Sequence, residues 1–162
     1  THMFHITILA VGRLKERYLN EAVNEYLKRL SAYASVRVVE VEEERAADNL
    51  SAAGVNKVKL KEGERLLNRL RTSAYVIALE PGGKARTSEQ MAAMLEELAL
   101  QGRGELVFII GGSLGLASTV LERADFKLSF SAFTFPHQLM RVILLEQIYR
   151  WFKISRGEPY HK

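Results

Sequence analysis

Short apolar runs alternate with amphipathic segments along this chain, and this alternation restricts its fold more than any other feature. The runs Phe4–Val11, Tyr75–Leu79 and Leu106–Ile110 are almost entirely apolar, as strands buried on both faces of a parallel sheet are. Two further strands are predicted over Val36–Val41 and, half-exposed, over Phe126–Ser131. The chain therefore contains the strands of a buried sheet.

The segments between these runs have the spacing of helices, with apolar residues three or four positions apart. The string Thr-Ser-Glu-Gln at position 87 is typical of a capping box at a helix start. Helices are predicted over Glu16–Leu30, Asn56–Leu70, Thr87 to about Leu100, and Pro136 to about Lys153. Strands alternating with helices predict an α/β domain with a mostly parallel sheet flanked by helices.

Length and composition favour a single domain over residues 3–162. The chain has 162 residues, 48% of them hydrophobic, and no cysteine, which excludes disulfides and thiolate metal sites. Its histidines lack the spacing of metal ligands, so no metal is expected. We find no membrane-spanning run and no export signal, and therefore expect a cytoplasmic protein. Thr1-His2 before Met3 resembles a remnant of tag removal.

Positive charge is concentrated at the carboxyl end. From His137 onward five basic residues face two acidic ones, which accounts for three of the chain's four net positive charges. Four aromatic residues, Tyr149, Trp151, Phe152 and Tyr160, are interleaved with these cations. Cations beside stacking rings are typical of a nucleic-acid contact surface.

Three loops are predicted to meet at one edge of the sheet, because parallel strands bring their carboxyl ends together. They follow Leu79, Ile110 and Phe130. The glycines of Gly111–Gly115 suit close approach of a ligand, although a tight turn explains them equally well. The string Ser129–Pro136 suits either a flat ligand pocket or a strand end filled with core rings.

Two pairs of residues near the carboxyl end are candidates for chemistry. His137 and Arg141 are four residues apart near a helix start, a place that favours anions; a turn-capping histidine and a surface arginine are the alternatives. Tyr160 and His161 could stack on a base and relay a proton, whereas a disordered tail is the alternative.

Several strings in order along the chain look like one family. The chain resembles the bacterial ribosomal RNA large subunit methyltransferase H family, part of the knotted SPOUT superfamily, over essentially its whole length. The strings that carry the resemblance are Ile6–Gly12 with Leu14-Lys15, Glu62-Gly63, Leu79-Glu80, Ile110–Gly112, Leu128–Ser131, Thr134–His137, Arg141-Val142, Glu146–Arg150 and Pro159–Lys162.

The resemblance implies a homodimer with a carboxyl-terminal trefoil knot that binds S-adenosylmethionine in a bent form. It implies methylation of ring nitrogen 3 of a pseudouridine in 23S rRNA, within the assembled 70S ribosome. The family's cofactor contacts carry over to Leu79, Gly111, Phe130, Ser131, Ala132, Phe133, Thr134 and Phe135. The chain departs from the family at Ala132-Phe133 and at Pro81-Gly82, where no side-chain chemistry is invoked.

The same resemblance suggests roles at the carboxyl end. His161 or His137 would accept the imide proton, Tyr160 would stack on the target ring, and Arg141 would steady phosphate or the developing anion. We expect the tail of one protomer to reach the cofactor of the other. The residues predicted to contact rRNA phosphates are Arg150, Lys153, Arg156 and Lys162.

Two other functions are compatible with parts of this pattern. A non-catalytic ribosome-associated factor would use the same basic face without needing a cofactor. A nucleotide- or dinucleotide-binding enzyme would use the Gly111–Gly115 turn. The absence of a P-loop lysine and the spacing of the glycines speak against the latter.

Overall fold

Strands and helices alternate from end to end in the computed structural model, which describes residues 3–47 and 49–160. The strands are β1 (His5–Val11), β2 (Ser35–Val41), β3 (Tyr75–Ala85), β4 (Glu105–Ile110) and β5 (Phe126–Ser129). The helices are α1 (Arg17–Leu30), α2 (Ala52–Leu67), α3 (Ser88–Leu100), α4 (Ser118–Arg123) and α5 (His137–Ser155). Each predicted strand and helix is present, with the largest differences at the end of β3 and at the two ends of α2, and the short helix α4 is one that was not predicted.

The described strands form one five-stranded sheet in the order β2-β1-β4-β3-β5. Every pairing between neighbouring strands is parallel. The predicted α/β class with a parallel sheet is therefore confirmed, while the trefoil threading of the carboxyl-terminal segment stays a prediction.

Helices cover both faces of the sheet. On one face α5 lies between α1 and α3, and their apolar residues pack with Ile6, Ile8 and Phe108 of the sheet. On the other face α2 and α4 pack against Leu9 and Val11. Residues of β1 thus alternate between the two faces, and both sets are buried, which explains why the strand reads as a continuous apolar run.

β3 is longer than predicted. The sequence indicates a turn from Glu80 to Lys84, but the strand continues to Ala85 with residues 80–83 looped out, so that Leu79 and Lys84 both pair with Leu128. Gly83 permits this, since a Cβ there would lie only 2.6 Å from the Lys127 carbonyl oxygen. The looped-out segment projects beyond the carboxyl edge of the sheet.

α2 begins four residues before its predicted start. The Ser51 hydroxyl accepts a hydrogen bond from the Gly54 N–H at 3.1 Å and caps the helix there. At its other end the helix stops at Leu67 instead of Leu70. The capping box predicted for α3 is confirmed, because the Thr87 side chain accepts from the Gln90 N–H at 3.0 Å and the Gln90 side chain accepts from the Thr87 N–H at 2.8 Å.

Replacing Thr87 with Ala should lower the free energy of unfolding by about 1 kcal/mol, because the Gln90 N–H loses its acceptor. Thr87→Ser keeps the hydroxyl and is the matched control, expected to unfold near the wild-type midpoint. Chemical denaturation followed by circular dichroism measures both. Equal stability of the Ala and Ser variants would show that the cap adds nothing here.

Candidate functional site

A cavity of about 220 Å³ lies at the carboxyl edge of the sheet, where the loops after β3, β4 and β5 meet. These are the three loops that the sequence analysis placed together. Seven of the eight residues proposed to contact the cofactor line it, whereas Ala132 does not. The lining consists of Leu79, Glu80, Pro81, Ile110, Gly111, Gly112, Ser113, Gly115, Leu116, Phe130, Ser131, Phe133, Thr134, Phe135, His137 and Met140.

The loop after β4 folds back tightly on itself. The Gly115 N–H donates to the Gly112 carbonyl at 3.1 Å, and Gly115 has φ +89°, a conformation that favours glycine. A Cβ on Gly111 would lie 3.0 Å from both the Gly115 carbonyl carbon and Leu116 Cδ2. A glycine at position 111 therefore lets the loop close tightly against Leu116, and a larger residue there would push apart two residues that line the cavity.

The loop between β5 and α5 forms an apolar wall. Its backbone is held by local bonds, with the Phe133 N–H donating to the Ser131 hydroxyl at 3.0 Å and the Ser129 hydroxyl donating to the Ser131 carbonyl at 3.4 Å. Phe133 is 78% exposed, although it lines the cavity. An exposed ring at the rim of an apolar cavity is typical of a surface that meets a ligand or another chain.

His137 begins α5 and faces the cavity. Burial lowers its pKa, and the neighbouring positive charge of Arg141 lowers it further, against a smaller opposing effect of Glu43. The imidazole is therefore neutral at pH 7 and can accept a proton. The N-cap of α5 is Pro136, one residue before His137, so His137 is not the capping residue of this helix.

Arg141 is not a surface charge, since only 1% of it is exposed. Its guanidinium pairs with the Glu40 carboxylate and donates to the Gly12 carbonyl at 2.6 Å and to the Val11 carbonyl at 3.4 Å. It does not line the cavity. The structure thus gives Arg141 partners within the fold, at the ends of β1 and β2; the phosphate or anion suggested by the sequence stays a prediction.

Tyr160 folds back onto α5. Its hydroxyl donates to the Glu146 carboxylate at 2.9 Å, and its ring lies edge-on to Tyr149 at 4.9 Å. Burial raises the pKa of Tyr160, and the bond to Glu146 raises it further, so the phenol stays protonated. Glu146 was not among the predicted site residues. The signal in the sequence that could have found it is its spacing of four residues from Arg150, with which it pairs at 2.7 Å.

Tyr160 and the cavity are far apart within one chain. Glu146, which holds Tyr160, follows two cavity-lining residues of the same helix, His137 by nine residues and Met140 by six. These spacings correspond to about 14 Å and about 9 Å along the helix axis. Tyr160 does not line the cavity. His161 and Lys162, the other proposed tail residues, lie outside the described residues.

The predicted RNA contacts lie on a surface that α1 and α5 share. The Lys153 ammonium lies 5.4 Å from the Tyr149 ring centroid, and the Arg156 guanidinium lies 4.8 Å from that of Tyr33. Arg150 stacks over Tyr160 at 4.8 Å. We call Arg150, Lys153, Arg156 and Arg29, whose guanidinium lies 5.2 Å from the Tyr26 ring centroid, the α1–α5 basic surface.

Within residues 3–47 and 49–160, no three His, Asp or Glu side chains come close enough to hold a metal ion. The same residues contain no helix that has both the length and the apolar character to span a bilayer.

Known proteins share this sequence over nearly its full length. Residues 4–161 match the family model described as "Predicted SPOUT methyltransferase". Ribosomal RNA large subunit methyltransferase H of Pelotomaculum thermopropionicum is 65% identical, with 98% of this chain and 99% of that protein covered. The protein of the same name from Carboxydothermus hydrogenoformans is 62% identical, with 97% and 99% covered.

One solved structure is more distant. The SpoU methyltransferase AviRb from Streptomyces viridochromogenes, in complex with the cofactor AdoMet, aligns with a TM-score of 0.48 and 12% identity, covering 96% of this chain and 60% of that one. The family match and the close relatives decide the assignment. The chain belongs to the SPOUT methyltransferase family and, within it, to the ribosomal RNA large subunit methyltransferase H group.

Proposed function

We propose that this protein transfers a methyl group from S-adenosylmethionine to ring nitrogen 3 of a pseudouridine in 23S rRNA, within the assembled 70S ribosome. The observation that carries the proposal is the cavity into which the three strand-end loops converge. The names of the close relatives support an rRNA substrate. The choice of nitrogen 3 and of the 70S particle rests on the family resemblance.

The residues that line the cavity suit the cofactor chemically. Apolar side chains such as Leu79 and Phe130 would enclose a purine, and a side chain at Gly111 would displace Gly115 and Leu116, which line the same cavity. When bound, S-adenosylmethionine supplies an electrophilic methyl group on a sulfonium sulfur. The protein's part is to align the acceptor nitrogen with that group and to exclude water, and such alignment can contribute about 7–11 kcal/mol to lowering the barrier.

The acceptor nitrogen must lose its proton for the N–C bond to form. His137 is neutral, lines the cavity and can take that proton. His161 is the second candidate for this role, together with Tyr160, which would stack on the target ring. Arg141 acts through the fold in this proposal, because it holds the first turns of α5, and with them His137, against the sheet.

A homodimer would complete the site. The cavity of one chain, at about 220 Å³, is smaller than the roughly 300–1,000 Å³ usual for ligand pockets. Beside it Phe133, Phe135 and Leu139 are exposed, a cluster of apolar side chains that a second copy could cover. Because Tyr160 lies far from the cavity of its own chain, we propose that it serves the cavity of the second copy.

The reaction is tested by incubating the protein and methyl-labelled S-adenosylmethionine with 70S ribosomes that lack the modification, alongside 50S subunits and free 23S rRNA. Label on a pseudouridine of 70S alone is the expected result. Label only on free rRNA would overturn the 70S substrate, and ribosome binding with no label in any sample would favour the non-catalytic factor.

Gly111→Val should abolish cofactor binding, since its side chain would enter space already 3.0 Å from Gly115 and Leu116. Isothermal titration with S-adenosylmethionine measures the loss, expected to exceed tenfold in Kd, or about 1.4 kcal/mol. Gly82→Ala is the matched control, because its Cβ would approach only Glu80, at 4.0 Å. Intact binding by Gly111→Val would remove the cofactor from this cavity.

The two histidine candidates should differ in kinetic signature. His161→Ala is expected to lower turnover with cofactor affinity nearly unchanged, because the role proposed for His161 is to accept the proton of the acceptor nitrogen. His137→Gln should lower turnover and also weaken the binding of the cofactor, because His137 lines the cavity. Single-turnover kinetics combined with titration separate the two. A large loss of cofactor affinity in His161→Ala would contradict this division.

Ribosome binding should depend steeply on salt, since rRNA phosphates release counterions when the α1–α5 basic surface binds. The double variant Lys153→Gln/Arg156→Gln is expected to reduce the slope of log K against log salt by about 1.4–1.8. Lys57→Gln, exposed on α2 across the sheet, should reduce neither slope nor affinity. Equal slopes for all three proteins would remove the basic surface from the ribosome interface.

A further inference from the structure

Glu62 is a buried carboxylate that the proposed reaction leaves without a role. It lies on α2, and 6% of it is exposed. Its carboxylate accepts one hydrogen bond, from the Glu44 N–H at 3.0 Å, and no described cation forms an ion pair with it. A buried charge with so few partners is expensive.

The carboxylate lies directly behind the cavity. A Cβ on Gly112, which lines the cavity, would be 3.2 Å from Glu62 Oε1 and 3.5 Å from Oε2. The next residue, Gly63, brings α2 close to α4, because a Cβ there would lie 3.2 Å from Ala117 Cβ and Val120 Cγ2. The close approach of α2 at Gly63 thus places the Glu62 carboxylate against the Gly111–Gly115 loop, on the side away from the cavity.

Among the described residues that line the cavity, none is a lysine or arginine that could compensate this charge. The titratable residues that line the cavity are Glu80 and His137, and His137 is neutral at pH 7. Arg141, a buried cation nearby, is neutralised by Glu40. In a chain of net charge +4, the cavity therefore has two carboxylates near it, Glu80 at the rim and Glu62 behind Gly112.

Burial makes the charged form of the Glu62 carboxyl less favourable. Desolvation raises the pKa of its carboxyl, Glu43 and Glu44 raise it further, and the hydrogen bond from the Glu44 N–H and the charge of Arg65 lower it. A protein that only needed to fill this position would be more stable with a neutral side chain there. The carboxylate is therefore a candidate for function.

We propose that Glu62 is a specificity-determining residue that favours the positively charged sulfonium cofactor over its neutral thioether product. This inference rests on the proposed function. S-adenosylmethionine and S-adenosylhomocysteine carry the same ammonium, carboxylate and adenosine groups and differ in the sulfonium charge and its methyl group. A negative charge that is surrounded by protein instead of water stabilises bound S-adenosylmethionine selectively. Because S-adenosylhomocysteine lacks the sulfonium charge, it is not held by this attraction and can leave more easily.

The test compares the two ligands on the full-length wild-type protein, Glu62→Gln and Glu64→Gln by isothermal titration. The glutamine side chain keeps an oxygen to accept from the Glu44 N–H, so Glu62→Gln removes charge with little change in shape. Glu64, exposed on the same helix, is the matched control. We expect Glu62→Gln to weaken the binding of S-adenosylmethionine by about fivefold to tenfold and to leave the binding of S-adenosylhomocysteine unchanged. Glu64→Gln should bind both ligands as the wild-type protein does.

A second measurement separates this role from a structural one. In thermal unfolding without ligand, Glu62→Gln should be at least as stable as the wild-type protein. In the titration, Glu62→Asp keeps the charge and should retain most of the preference for S-adenosylmethionine over S-adenosylhomocysteine. Equal weakening of both ligands, or no weakening of either, would overturn the inference. Failure of the wild-type protein to bind either ligand would instead overturn the proposed function.

Discussion

The buried guanidinium of Arg141 is the interaction on which the arrangement of this molecule depends. A cation with 1% exposure needs an opposite charge and acceptors within the fold. Its two terminal nitrogens find them at the ends of β1 and β2, whereas its Nε has no acceptor among the described residues. This requirement places the first turns of α5 over the carboxyl edge of the sheet. His137, one turn earlier, is thereby directed to the cavity, and the loop from β5 must cross the sheet edge to reach it.

The same edge is shaped by backbone contacts that leave no room for side chains. Gly83 lets β3 run on beside β5, and Gly111 lets the loop after β4 close on Leu116. The walls of the cavity around these glycines are mostly apolar, and the charged residues Glu80 and Glu62 lie at its rim and behind Gly112. The groups to which we assign the chemistry are placed by three different helices: His137 by α5, Glu62 by α2, and the α1–α5 basic surface by α1 and α5 together.

Periodicity is sufficient to predict what is local. The apolar runs of β1 and β4, the capping box of α3 and the meeting of three strand-end loops can all be predicted from sequence, because each depends on neighbouring residues or on parallel topology. Arg141 is harder to place, because its carboxylate partner is 101 positions away and nothing local marks it as buried. Glu62, Glu146 and Arg29 resemble ordinary charges on helix faces until tertiary packing shows what lies opposite them. The sequence indicates only a turn at the looped-out residues of β3, because pairing beyond a bulge has no short-range signal.

The order of the strands has a consequence for how the chain is made. β4 lies between β1 and β3, so the first 104 residues contain no strand that joins the β1–β2 pair to β3. During synthesis the β1–β2 pair and β3 are therefore made before the strand that lies between them. β4, the most buried strand, joins them into one sheet only afterwards. Formation of the sheet must wait for contacts between distant parts of the chain, which is intrinsically slow. Such a protein completes its core only when most of it has already left the ribosome that produced it.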